Sequence, residues 1–196
     1  MAHHKATLAA PPLRLDTPPA FLDFEASSLA SASYPIEVAW SLPDPDGSIE
    51  SHLISPASIS RWTDWSPKAE RIHGISQALL RAEGKAPLWI CERLNTQLAG
   101  QIVYTDDPDY DQVWLMELFS ASWGLKPSFT LASVDDLLLS QLDPEGFNRS
   151  AALKTLALIK TQVRQRLPQR HRAQWDVAYL IELWQRVTEP HTRQER

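Results

Sequence analysis

The stretch AFLDFEA, Ala20 to Ala26, decides how this chain is read. Ala20, Phe21, Leu22, Phe24 and Ala26 suit a buried β-strand, yet Asp23 and Glu25 interrupt it. Carboxylates are poor strand formers and resist burial unless they are paired or bound to a cation. Residues two apart on a strand share a face. Asp23 and Glu25 therefore converge on one side, while Leu22 and Phe24 point to the other. Taken alone, Asp-x-Glu reads as a solvated pair on an edge strand. Its meaning depends on what else the chain brings to that face.

Outward from this stretch the pattern is that of a mixed α/β domain. Tyr34–Pro43 and Ser48–Ser55 read as two further strands joined by the turn signal PDPDG, so an antiparallel meander is expected first. Helical spacing follows. Pro87–Ala99 opens on Pro and stops before Gly100, as a helix does. Gln101–Thr105 reads as a short strand, Tyr110–Trp123 as a helix and Phe129–Val134 as a fifth strand. Val134–Leu142, Ser150–Leu167 and His171–Val187 read as closing helices, the last two separated by Pro168. A meander followed by alternating strands and helices implies a five-stranded mixed sheet flanked by helices.

At 196 residues, with 43% hydrophobic residues and eight Trp, the chain fits one folded domain. The domain is expected over residues 20–188, after a Pro-rich leader at 1–19 and before a polar tail at 189–196. His3 and His4 lie in that leader and are left out of metal-site reasoning. A single cysteine, Cys91, excludes an internal disulfide framework and a thiolate metal cluster, and favours a reducing, cytoplasmic setting. No apolar run reaches membrane-spanning length.

The formal charge of −5 hides an uneven distribution. Between Phe147 and Trp175 lie seven basic residues and no acidic one: Arg149, Lys154, Lys160, Arg164, Arg166, Arg170 and Arg172. Such a segment reads either as a solvated helix face or as a phosphate-binding footprint.

Two further motifs carry inward-facing acids. In YTDDPDYDQVWL, Tyr104–Leu115, a strand ends, a loop holds Asp106, Asp107 and Asp109, and a helix opens near Asp111. Asp111 precedes Trp114 and Leu115 by three and four residues, which puts it on their face. The three loop aspartates also suit N-cap and turn positions. In HRAQWD, His171–Asp176, Asp176 stands three and four residues before Tyr179 and Leu180 and shares their inward phase. His171 lies a little over one turn earlier.

The ordered set Asp23-x-Glu25, Asp111, His171-x4-Asp176 resembles the DEDD superfamily of 3′–5′ exonucleases in its His-containing (DEDDh) subclass. Proofreading exonuclease domains, ribonuclease T and oligoribonuclease belong to that group. The resemblance runs from about Ala20 to Val187. ERIHGIS, Glu70–Ser76, is similar to the family's His-Gly-Ile-Thr/Ser segment, though it also reads as a turn that needs Gly74 for its geometry. Two departures stand out. Ala26-Ser27-Ser28 replaces the usual Thr-Gly after the first motif, and Asp106-Asp107-Pro108-Asp109-Tyr110-Asp111 replaces a loop that often reads His-Asn-x-x-Phe-Asp.

The resemblance implies a ribonuclease H-like fold and two divalent cations, Mg²⁺ or Mn²⁺, held by Asp23, Glu25, Asp111 and Asp176. It implies His171 as general base. Phe24, Leu29, His73, Gly74, Arg170 and Arg172 are the expected substrate contacts, with Trp65 a further stacking candidate. The implied activity is removal of nucleoside monophosphates from single-stranded 3′ ends. RNA is favoured over DNA on size and analogy alone. A DNA-directed proofreading-type exonuclease and an inactive nucleic-acid-binding module on the same fold are the alternatives. Stand-alone relatives are often homodimers, a partner state this sequence does not itself mark.

Overall fold

The computed structural model describes residues 18–44, 47–167 and 171–189. Nearly all of the expected leader and tail, and Arg170, lie outside the described residues. The elements run β1 (Ala20–Ala26), β2 (Pro35–Ser41), β3 (Ile49–Leu53), α1 (Pro67–His73), α2 (Gln77–Glu83), α3 (Pro87–Leu98) and β4 (Ile102–Thr105). They continue with α4 (Pro108–Ser120), β5 (Thr130–Ser133), α5 (Val134–Leu142), α6 (Arg149–Arg166) and α7 (Ala173–Thr188). The expected strands and long helices are present, with ends displaced by a few residues, as fraying ends allow.

The sheet order is β3-β2-β1-β4-β5. β1 and β3 each pair antiparallel with β2, while β4 runs parallel to both β1 and β5. This is the expected α/β arrangement, an antiparallel meander continued by parallel strands. The AFLDFEA stretch is its central strand, so the solvated edge-strand reading of Asp23 and Glu25 falls away.

β1 divides the core in two. Ala20, Leu22, Phe24 and Ala26 join a cluster with Leu94 and Leu98 of α3 and Leu115 and Leu118 of α4. Phe21 points the other way, into a cluster with Leu138 of α5, Leu156 of α6 and Val177 and Leu180 of α7. Asp23 and Glu25 share the parity of Phe21 and so face the α7 side. An irregularity in the β1–β2 ladder falls between Glu25 and Ala26, where the strand leaves its partner.

The short helices α1 and α2 fill the segment between meander and α3. Each is capped by a serine: Ser66 accepts from the Ala69 amide and Ser76 from the Leu79 amide. Gly74 ends α1 in the left-handed region, φ 71°, a conformation that glycine adopts without penalty. Among the described residues, no helix is long and apolar enough to cross a membrane.

Candidate active site

The site forms where the carboxyl ends of β1 and β4 meet the first turns of α4 and α7. Asp23 and Glu25 project from β1 toward α7, and Asp176 descends from the first turn of α7. One carboxylate oxygen from each of the three can be chosen so that all lie within 4.8 Å of one another. All three side chains are partly buried.

Asp111 arrives from the opposite layer. The N-cap Asp107, whose side chain accepts from the Tyr110 amide, starts α4 with Pro108 at its first position. That start turns Asp111 inward, where it is 2% exposed. Its carboxylate accepts hydrogen bonds from the Thr105 hydroxyl at the end of β4 and from the Phe24 backbone amide. The fourth acid is thereby tied to both parallel strands and to the residue between Asp23 and Glu25.

The cluster concentrates negative charge that burial disfavours. Burial raises Asp23 well above the usual carboxylate range, and the charges of Asp111, Asp176 and Glu25 push it further. Burial, then Asp176 and Glu37, lift Glu25 to about 8. Asp111 is raised to about 7 by burial, against the Thr105 hydrogen bond, which opposes the shift. Asp176 is raised to about 6, again by burial, with His171 acting in the other direction. With Asp23 and Glu25 raised this far, the cluster is fully ionised at neutral pH only if a cation joins it. An all-oxygen donor set, convergent and short of positive charge, fits hard divalent cations such as Mg²⁺ or Mn²⁺.

His171 is exposed and immediately precedes Arg172, the N-cap of α7. Its charge bears on both Asp176 and His73, so it stands beside the acid cluster. His73 is 5% exposed. Its Nδ1 accepts from the Ile75 amide at 3.0 Å, which places the proton of the neutral ring on Nε2. That Nε2 is buried and has no hydrogen-bond partner among the described residues. Burial also lowers the His73 pKa and keeps the ring neutral. The edge of His73 meets Trp65, with centroids 6.3 Å apart, and the Trp65 indole N–H donates to Glu70.

The remaining expected contacts are placed unevenly. Leu29 is 73% exposed in the loop after β1, whereas Phe24 is 5% exposed and packed in the core. The Arg172 guanidinium is committed to Glu37 through two hydrogen bonds and is not free for a phosphate in this arrangement. Much of the basic segment is paired internally in the same way. Lys160 holds Asp135 and Asp106 at 2.6 and 3.3 Å, Arg164 lies over the Tyr179 ring, and Arg149 approaches Asp136.

Sequence reasoning passed over Glu37 and Thr105. Glu37 carried the same signal as Asp23, an acid inside an apolar strand (PIEVAWS). Thr105 carried none, because a threonine at a strand end is ordinary.

No protein family matches the chain by sequence, and no curated protein does. Solved structures do match it. E. coli Exonuclease I in complex with a dT13 oligonucleotide superposes with a TM-score of 0.60 at 18% identity, over 87% of this chain and 40% of that one. A moderately thermophilic Exonuclease I from Methylocaldum szegediense gives 0.58 at 18% identity, over 88% and 41%. The zinc-bound form of the E. coli Exonuclease I–ssDNA complex gives 0.56 at 18%, over 86% and 40%. This chain therefore spans about two fifths of the length of those proteins. At such identity the likeness is one of fold: the chain has the ribonuclease H-like α/β fold of these exonuclease structures.

Proposed function

We propose that this chain is a metal-dependent 3′–5′ exonuclease that removes nucleoside 5′-monophosphates from single-stranded 3′ ends. The observation that carries the reading is the convergence of Asp23, Glu25 and Asp176 within 4.8 Å, uncompensated in charge, with His171 alongside. Neither a structural core nor a passive binding surface gains anything from a desolvated anionic cluster.

Asp23, Glu25 and Asp176 would hold one divalent cation, and Asp23 with Asp111 a second. Cations held there would neutralise the phosphate, lower the pKa of water and support the departing 3′ oxygen. The chain's own residues supply position and proton transfer. The hydrogen bonds from Thr105 and the Phe24 amide fix the Asp111 carboxylate before substrate arrives. His171 takes a proton on an imidazole nitrogen from the attacking water, as a general base. The bond between phosphorus and the penultimate 3′ oxygen breaks, and that oxygen leaves with a proton from solvent. The buried Nε2–H of His73, beside Trp65, offers a donor to the terminal nucleotide.

Single-stranded DNA is the substrate we favour, a change from the RNA preference read from sequence. Its support is that similarly folded proteins are solved with dT13 and other single-stranded DNA. The test is end-labelled DNA and RNA of equal sequence, incubated with Mg²⁺, Mn²⁺, Zn²⁺ or EDTA. A metal-dependent ladder shortening from the 3′ end, absent in Asp23→Ala and in His171→Ala, is expected. Binding without cleavage under every metal would replace this reading with that of an inactive binding module.

A further inference from the structure

Helix α7 starts without a cap of its own. Its N-cap residue is Arg172, extended at φ −150° and ψ 130°, and its side chain makes no capping bond. The orphan donor at Ala173 is taken instead by Glu37, from the middle of β2: Ala173 N–H donates to Oε2 at 3.1 Å. The same carboxylate accepts from Arg172 Nε at 2.9 Å and from Arg172 Nη2 at 2.7 Å. The Ser51 hydroxyl of β3 donates to it at 3.2 Å. Four donors thus converge on a side chain that is 1% exposed. A carboxylate at a helix N-terminus is also favoured by the helix dipole.

The chain that follows is the chemistry-bearing one. The carbonyl of Arg172 accepts from the amides of Trp175 and Asp176, so Arg172 closes the turn that carries Asp176. His171 is its immediate predecessor. A forked, two-bond grip fixes orientation as well as position, which a single contact does not. Glu37 is also the direct cross-strand partner of Glu25. One contact therefore sets the distance between the acids of β1 and the two functional groups at the head of α7.

We infer that Glu37, acting through Arg172 and the Ala173 amide, is a positioning residue that holds His171 and Asp176 against Asp23 and Glu25. The inference rests on the exonuclease reading and deepens it. Glu37 has no role in meeting substrate: its oxygens are spent on four internal donors, and its charge repels phosphate.

The test uses the full chain with Glu37→Gln and Arg172→Lys. An amide at position 37 can still accept one hydrogen bond, but its NH₂ opposes the guanidinium. Lysine keeps the cation and loses the fork. Three measurements apply. Hydrogen exchange of the first-turn amides of α7, in metal-free protein, is expected to quicken at least about tenfold in Glu37→Gln, with the β1–β2 amides unchanged. Mn²⁺ binding, read by spin resonance, is expected to weaken about 10–100-fold. On labelled oligonucleotide, kcat is expected to fall by about 100-fold at unchanged KM. Arg172→Lys is expected to lie between parent and Glu37→Gln on each scale, and it carries the test if Glu37→Gln does not fold.

Parent-like first-turn exchange in both variants would overturn the inference. So would unchanged kcat with a lowered KM, since a freed Arg172 would then be a phosphate contact. A parent protein that cleaves nothing would instead sink the exonuclease reading, and the exchange measurement would still judge the positioning role.

Discussion

Glu25 and Glu37 lie directly opposite each other on β1 and β2 and face the same helix, yet only Glu37 is matched by a cation of the chain. Arg172 and the head of α7 satisfy Glu37, while Glu25 is left among acids and lifted to about 8. The two residues are alternative solutions to a single problem, a carboxylate forced into an apolar strand. One charge is neutralised from within the chain, and the other is disfavoured by burial and by the acids around it. The contrast separates an acid satisfied within the chain from those the proposed function assigns to metal.

Stability without metal is expected to fall as pH rises. Glu25 and Asp176 have ordinary values of 4.5 and 3.8 but titrate near 8 and 6 in the fold, and Asp111 near 7. Above about pH 4 the unfolded chain ionises first, so each further unit favours unfolding until the folded acids also lose their protons, near pH 8. In EDTA, Tm is expected to drop by at least about 4 °C between pH 5 and pH 8, equivalent to about 1–2 kcal/mol for a chain of this size. Added Mn²⁺ restores Tm at pH 8 and does little at pH 5, because its ligands are then protonated. A flat metal-free profile in calorimetry would contradict the charge assignment.

Asp23→Asn is expected to act on stability and activity with opposite signs. The substitution removes the acid that burial and four neighbouring carboxylates disfavour, so the metal-free protein at pH 8 gains Tm. Nuclease activity is lost, since the amide is a weak ligand for a hard cation. Thermal unfolding in EDTA and the labelled-oligonucleotide assay, run on one preparation, check both signs. A loss of Tm in EDTA would mean that Asp23 has a stabilising partner inside the fold.

How far the sequence could be read depends on how local each signal was. The sheet and the long helices were legible because period-two and helical apolar patterns persist over enough residues. Asp23, Glu25, Asp111 and Asp176 were legible because each is an acid in an apolar phase. Helices α1 and α2 were not: seven residues make two turns, too few for a period, and their marks were terminal ones, the caps Ser66 and Ser76 and, for α1, Pro67 and Gly74. Arg172 read as a phosphate contact because its true partner, Glu37, lies 135 residues away. Pairings at that separation leave no trace in a local pattern.

Gly84→Ala is expected to destabilise the fold while sparing the site. Gly84 ends α2 with an ordinary φ of −65°, so backbone freedom is not what requires glycine there. The constraint is space: a Cβ would collide with the Leu80 carbonyl oxygen and would meet the Ser55 amide nitrogen at 2.6 Å. Both are backbone atoms held by hydrogen bonds, Ser55 to Lys85 and Leu80 to Gly84 itself. Overpacking of this kind costs about 1–3 kcal/mol, or roughly 2–10 °C in Tm here. Activity per folded molecule is unchanged. An unaltered Tm would show that the α2–α3 junction yields more than its bonding suggests.

His73→Phe separates a substrate-facing role from a packing role at the end of α1. Phenylalanine keeps the ring, fills the same buried volume and retains the edge contact with Trp65. It loses two polar functions: the Nδ1 that accepts from Ile75 and the Nε2–H that has no partner among the described residues. If Nε2–H donates to the terminal nucleotide, its removal raises KM about tenfold, the equivalent of one hydrogen bond of about 1.4 kcal/mol, with kcat little changed. The Ile75 amide left unsatisfied lowers Tm in the same variant, and His73→Gln, whose amide oxygen can still accept and whose NH₂ can still donate, calibrates that loss. Steady-state kinetics on both variants decide the matter: equal KM in parent and His73→Phe, with Tm lowered, would make His73 a packing residue whose Nε2 has no role in binding substrate.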